Sequence, residues 1–105
     1  MAYDRLRTKL TKENLWLYIL RMLMERPMYA YEISKTLTDK FGFSTATITV
    51  YVVLYKMLFE ELIKIKKEEP GVGRPDRKYY EITEKGIKNL KMGIEFLEKT
   101  INKLS

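Results

Sequence analysis

STATITVYVVLYK, residues 44–56, decides how this chain folds. Its β-branched residues, its tyrosines and the Thr-Ile-Thr-Val alternation from Thr47 to Val50 favour a strand by propensity. Yet the apolar pattern continues through Met57, Leu58, Phe59, Leu62 and Ile63 without a turn signal, beyond the usual length of a strand. Advancing by about 100° per residue sorts the segment into two arcs. Ile48, Val50, Tyr51, Leu54, Tyr55, Met57, Leu58, Phe59 and Leu62 fall in one, and Thr45, Thr49, Val52, Val53, Lys56 and Glu60 in the other. Only a helix makes that separation, and the propensity it overrides is worth roughly a few tenths of a kcal/mol per residue. The expectation is a helix over 44–61 with Ser44 as its N-cap.

The polar arc is unusual for a face left in water, where Glu, Lys and Gln are better helix formers than Thr or Val. Short hydroxyls and methyls with one Lys suit close approach to base edges, where Thr can hydrogen-bond and its methyl or Val can touch a thymine methyl. The competing reading is that Thr and Val pack beneath a neighbouring element.

The flanking segments supply the rest of the plan. Tyr3, Leu6 and Leu10 stand at helical spacing among Arg5, Arg7 and Lys9, a basic arm or short helix. Thr11 reads as an N-cap with Glu13 in the following turn. Leu15 to Met24 is apolar except at Arg21, a central buried helix stopping before Pro27. In MYAYEISKTLTDKF, Tyr29, Ile33 and Leu37 lie one turn apart, and Gly42 is placed to end this second helix. It meets the third across about three residues, as in a helix-turn-helix corner.

After Ile63 the period changes to two. Ile63 and Ile65 alternate with Lys64 and Lys66, EEPGVGRPD interrupts, and RKYYEI follows, which reads as a hairpin with a long basic tip. Thr83 then caps a last helix in which Ile87, Leu90, Ile94, Leu97, Ile101 and Leu104 form an a/d seam. That seam serves either packing on its own domain or self-pairing. A helix of roughly 30 Å overhangs so small a domain, which favours a dimer.

Composition narrows the function. At 105 residues the chain is one domain, and 46% hydrophobic with 32% charged residues is a globular profile with no apolar run long enough for a membrane. There is no Cys and no His, which removes zinc clusters, Cys-His nucleophiles and the commonest general base. No phosphate-cradling glycine loop precedes a helix, so neither an enzyme, a metal site nor a cofactor is expected. Met1 to Lys12 is charged and lacks an apolar core, so a cytoplasmic address is expected. A net charge of +6 favours a polyanionic partner.

Helix, helix, turn, helix, hairpin, helix is the winged helix-turn-helix plan, mainly α with a small β-hairpin. The stretches ILRMLMERPMYAYEISKTL, VYVVLYKM and GRPDRKYYEITEKG, in that order, also resemble the PadR family of transcriptional regulators, over residues 15–86. Tyr29, Tyr31 and Glu32 match the start of the second helix, Tyr51 and Leu54 the third, and Arg74, Pro75 and Tyr80 the wing. The resemblance implies a homodimeric repressor whose third helix enters the major groove, whose wing at 69–78 touches phosphates or minor groove, and whose last helix mediates dimerisation. The division expected is 1–82 for DNA binding and 83–105 for dimerisation.

The resemblance further implies a small-molecule effector, of unnamed chemistry, near the dimer interface. Trp16 and Phe96 are the aromatic candidates, although Trp16 also reads as packing. The family usually has Gly where this chain has Ala30, Pro at Val52 and Gly at Glu61. Loss of Gly at 61 leads us to expect that the third helix ends differently.

Within double-stranded DNA recognition, Ser44, Thr45, Thr49 and Lys56 are expected to face the groove, with Thr47 and Tyr51 at phosphate distance. Lys35, Arg74, Arg77 and Lys78 supply charge. Two alternatives remain open at this level, a winged helix coating DNA without sequence choice and a protein-interaction subunit of a transcription complex.

Overall fold

The computed structural model describes residues 1–105 as α1 (Ala2–Leu10), a 3-10 turn (Lys12–Asn14), α2 (Leu15–Leu23), α3 (Ala30–Phe41), α4 (Thr47–Phe59), β1 (Ile63–Glu69), β2 (Arg77–Ile82) and α5 (Glu84–Leu104). α2 is the hub. It packs against α3, α4, β2 and α5, and buries Leu15, Ile19, Leu20, Met22 and Leu23. Ile33 and Leu37 of α3, Val50, Leu54 and Met57 of α4, Tyr80 of β2 and Leu90 of α5 close the core around it. Each large apolar side chain so buried contributes about 1.5–3 kcal/mol relative to exposure. No polar or charged side chain is buried among them.

The expected N-cap at Thr11 is not formed. Its hydroxyl donates back to the Arg7 carbonyl at 2.6 Å, and the Tyr18 hydroxyl and Asn14 amide donate to the Leu10 and Lys9 carbonyls. These bonds finish α1 instead of starting α2.

α3 begins where its sequence predicts. Glu32 accepts from the Tyr29 N–H at 3.3 Å and is itself held by Arg26 at 3.0 Å. At its far end Gly42 takes φ +75°, and its N–H closes on the Thr38 carbonyl at 3.2 Å. The chain then runs without helix over 43–46, because Phe43 is seated edge-on against Tyr18, 5.0 Å between ring centroids. α4 starts only after that anchor. Ala46 occupies its N-cap, accepting from Thr49 and Val50, so Ser44 is not the cap and the helix is shorter than 44–61.

The buried arc of α4 is also narrower than expected. Val50, Leu54 and Met57 are buried and Val53 and Leu58 partly so. Ile48, Tyr51, Tyr55 and Phe59, assigned to the core side by hydrophobicity, are exposed, Phe59 by 84%. α2 and α3 cover only one flank of the helix, so burial is centred on the Val50–Leu54–Met57 line and its outward face is more apolar than a solvated face should be.

α4 nonetheless ends through a left-handed turn. Glu61 has φ +62°, the one non-glycine residue with positive φ. The Thr83 hydroxyl lies 2.7 Å from the Glu61 carbonyl and 3.0 Å from that of Leu62, and it accepts from the Gly86 N–H at 3.0 Å as the cap of α5. The expectation of a different ending is therefore corrected, since a Glu adopts the conformation that glycine would take more cheaply.

β1 and β2 pair antiparallel from Ile63↔Ile82 to Glu69↔Arg77, with an irregularity between Ile65 and Lys67. Met28 adds a bridge, exchanging both backbone bonds with Tyr80 at 3.1 and 2.9 Å, which ties the α2–α3 connection to the wing. α5 meets the body through Gly86, Leu90 and Gly93. A Cβ on Gly86 would stand 2.2 Å from the Leu62 carbonyl oxygen, and one on Gly93 would press on Leu17 and Trp16. The far half of α5 and all of α1 bury nothing, and the molecule is 53 Å long and 22 Å across its shortest dimension.

Two substitutions should therefore move stability in opposite directions. Glu61→Gly relieves the left-handed penalty and should raise stability by about 1 kcal/mol. Gly86→Ala should lower it by about 1–3 kcal/mol. Urea unfolding with unchanged slope measures both, and a lower midpoint for Glu61→Gly would contradict strain at that turn.

Candidate nucleic-acid interface

A groove of about 680 Å³ lies between the start of α3, one side of α4 and the wing. Tyr29, Tyr31, Tyr51, Tyr55 and Tyr80 contribute to it from three elements, and Arg74, Arg77 and Lys78 stand along the wing side. Burial pushes the Tyr80 phenol above its ordinary range, with Tyr51 and Glu68 adding to the effect, so it remains neutral. Arg77 stacks its guanidinium over the Tyr29 ring at 4.4 Å, and Tyr29 meets Tyr79 edge-on at 5.3 Å. The wing is thus fixed to α3 by aromatic contacts as well as by the Met28–Tyr80 bridge.

This geometry brings together Thr47, Tyr51, Arg74, Arg77 and Lys78 of the residues expected from the sequence. Ser44, Thr45, Thr49 and Lys56 lie outside the groove, around the outward side of α4 and the segment before it. Ser44, Thr49 and Lys56 are exposed and Thr45 is half-buried. Lys35 is exposed one turn beyond Tyr31 on α3, so it continues the same edge.

The cations differ in availability. Lys64 and Lys66 are paired with Glu81 and Lys67 with Glu69. Arg74 reaches the same Glu69 at 3.8 Å and the Pro75 carbonyl at 3.0 Å, so it is engaged at the tip and does not project freely. Lys35, Lys56 and Lys78 have no carboxylate within ion-pair distance and keep their full charge for a partner.

α4 itself carries no Asp or Glu, and no side chain caps its N-terminus. Its positive dipole end and free N–H groups are left for an outside anion. A groove with phenolic hydroxyls, a fixed guanidinium and an unneutralised helix end is suited to a sugar-phosphate backbone. The adjoining exposed face of α4 is suited to base edges.

Sequence reasoning missed the tyrosine groove as a unit, since Tyr29, Tyr31 and Tyr55 are separated along the chain and tyrosine spacing alone does not show their convergence. It also missed the exposure of Ile48. Of the terminal seam, Leu90 is buried within its own domain, Ile87 and Leu97 are half-buried, and Ile94, Ile101 and Leu104 are exposed. Trp16 donates to Asn14 at 3.1 Å and abuts Gly93, which makes it a contact between α2 and α5, whereas Phe96 is exposed. No group of acidic, His or Cys residues is arranged to hold a metal, and no helix is long and apolar enough to cross a membrane.

Similarity to known proteins agrees with this arrangement. A transcriptional regulator from Clostridium thermocellum superposes with a TM-score of 0.74 at 31% identity, covering 95% of this chain and 96% of that one. A PadR-like transcriptional regulator from Bacillus cereus gives 0.68 at 30% identity, over 93% and 95%. The Bacillus subtilis PadR structure, solved with operator DNA, shares the fold at a TM-score of 0.69 and 22% identity, covering 76% of this chain and 47% of that one. None of the curated proteins matches significantly. The sequence pattern of the transcriptional regulator PadR-like family matches residues 19–92, most of the chain, and the protein belongs to that family of DNA-binding transcriptional regulators.

Proposed function

We propose that the protein is a homodimeric, cytoplasmic repressor that reads a pseudo-palindromic operator with the first half of α4 in the major groove and the wing on the adjoining backbone. The groove between α4 and the wing carries this reading, because it places Tyr51, Arg77 and Lys78 beside a helix face free of carboxylates. The operator complex of the Bacillus subtilis relative, which shares this fold, supports it. Thr49 and the neighbouring outward side chains of α4 would then set base preference, and Lys35, Lys56, Arg77 and Lys78 affinity. A dimer seated on a promoter would repress by occlusion.

Residues 83–105 are proposed as the dimerisation element and 1–82 as the DNA-binding unit. Ile101 and Leu104 lie on the same stripe as Leu90 but have no partner within the chain, and Leu104 is 83% exposed. Tyr3, Leu6 and Leu10 of α1 are also exposed. A second copy is the natural cover for such surfaces in a closed, two-fold assembly. An effector at that interface would meet Phe96 before Trp16.

Several measurements check this. With ~6–10 phosphates neutralised per dimer, affinity should fall by about 10³–10⁵ between ~50 and ~200 mM salt, and a flat response would contradict phosphate contact. Thr49→Ala should change preference at one base pair of each half-site at about 1–3 kcal/mol, whereas Lys78→Ala should weaken all sequences alike and flatten the salt slope by about two charges per dimer, one from each protomer. Identical behaviour of the two variants would remove the distinction between reading and positioning. Leu97→Asp should sediment as a monomer and lose tight operator binding, and a persistent dimer would place the interface elsewhere.

A further inference from the structure

The outermost positions of the first half of α4 are aliphatic. Opposite the buried Val50–Leu54–Met57 stripe stand Ile48, 73% exposed, and Val52, 51% exposed, one turn apart. Thr49 lies to one side and Tyr51 and Tyr55 to the other. β-branched side chains are poor helix formers, and unburied they gain nothing from packing, so this choice costs stability in the free protein.

The polar inventory of the helix sharpens the point. From Thr47 to Phe59 there is no Arg, Asn or Gln, the side chains that make bidentate contacts with guanine or adenine. Lys56 is the one long cation, and it lies beyond the first turn. Hydrogen bonds from this face are therefore limited to Thr hydroxyls, the flanking Tyr51 and Tyr55 phenols and the Lys56 ammonium.

Two observations select the occupant of the aliphatic pair. There is no carboxylate between Ser44 and Phe59, and Lys35, Lys56 and Lys78, on the elements that form this side of the molecule, are among the cations left without an ion-pair partner. Along α4 itself a polyanion meets no like charge, and the one carboxylate lining the adjoining groove, Asp76, accepts from the Gly71 N–H at 2.8 Å. Among the groups that the four base pairs present in the major groove, the apolar one is the 5-methyl of thymine.

We propose that Ile48 and Val52 recognise thymine 5-methyl groups, so that each half-site carries thymine beneath them and apolar contact decides the base at those positions. This rests on sequence-specific DNA binding by α4 and adds the chemistry by which it discriminates. Thr49 then flanks the methyl contacts instead of carrying the readout alone.

The experiment begins with a duplex selected from a random pool by the wild-type protein. Each thymine under α4 is then replaced by deoxyuridine, which keeps every hydrogen-bonding group and removes only the methyl. Affinity should fall about fourfold for each methyl lost, and about sixteenfold when one is removed from both half-sites. The Ile48→Ala/Val52→Ala protein, altered only at exposed positions and checked for unchanged unfolding, should bind thymine and uracil duplexes equally.

Equal wild-type binding of the two duplexes, with the preference for the selected sequence over bulk DNA retained, would overturn this inference and leave the sequence-specific reading intact. Failure of any sequence to be enriched would overturn both. If the alanine pair changes the sedimentation of the protein and leaves the thymine-to-uracil ratio as in wild type, the stripe is a protein contact and the inference is likewise overturned.

Discussion

The left-handed turn at Glu61 is the joint on which the half of the molecule carrying α4 and the wing depends. One hydroxyl, that of Thr83, lies within hydrogen-bonding distance of the carbonyls on either side of the turn while capping α5. The end of α4, the root of the wing and the start of α5 therefore meet at one point. Lys85 reinforces it by donating to the Glu60 carbonyl at 2.8 Å. Gly86 lets the backbones approach closely enough for this to happen. The angle between α4 and the wing follows from it, and with that angle the width of the tyrosine groove.

From that joint the molecule divides into a packed side and a prepared side. Residues facing α2 form a core with no buried polar group. Residues facing away leave an uncapped helix N-terminus, unpaired lysines and apolar side chains in water. The uncapped helix end and the exposed apolar side chains cost stability or solubility when the protein is alone. Their combination along α4 indicates a surface shaped for a partner, and the absence of acid along that helix matches a polyanion.

Most of the fold was legible because its signals are local. The apolar run of α2, period 3.6 in α3, the glycine at 42, the period-two switch at Ile63 and the Thr83 cap each depend on nearby residues. The start of α4 was not, because Ser44 is a better capping residue than Ala46, and the edge-on contact of Phe43 with Tyr18, a tertiary neighbour, accompanies the extended segment past it. The rotation of α4 was misjudged for a related reason. Hydrophobicity alone placed Ile48, Tyr55 and Phe59 inside, but burial is settled by which flank α2 and α3 reach. The glutamate at 61 was expected to change the turn, and the Thr83 clamp overrides its preference. For the site, charge and hydroxyls were readable, whereas the ion pair that engages Arg74 and the convergence of five tyrosines depend on tertiary neighbours.

The central claim is that this surface selects a DNA sequence and does not merely coat a polyanion. Competition at fixed, near-physiological salt between a selected duplex and bulk genomic DNA tests it directly. Sequence-specific recognition predicts a preference of about 10³ or more for the selected duplex. Equal competition by bulk DNA would contradict it and leave a basic winged helix that binds without choosing.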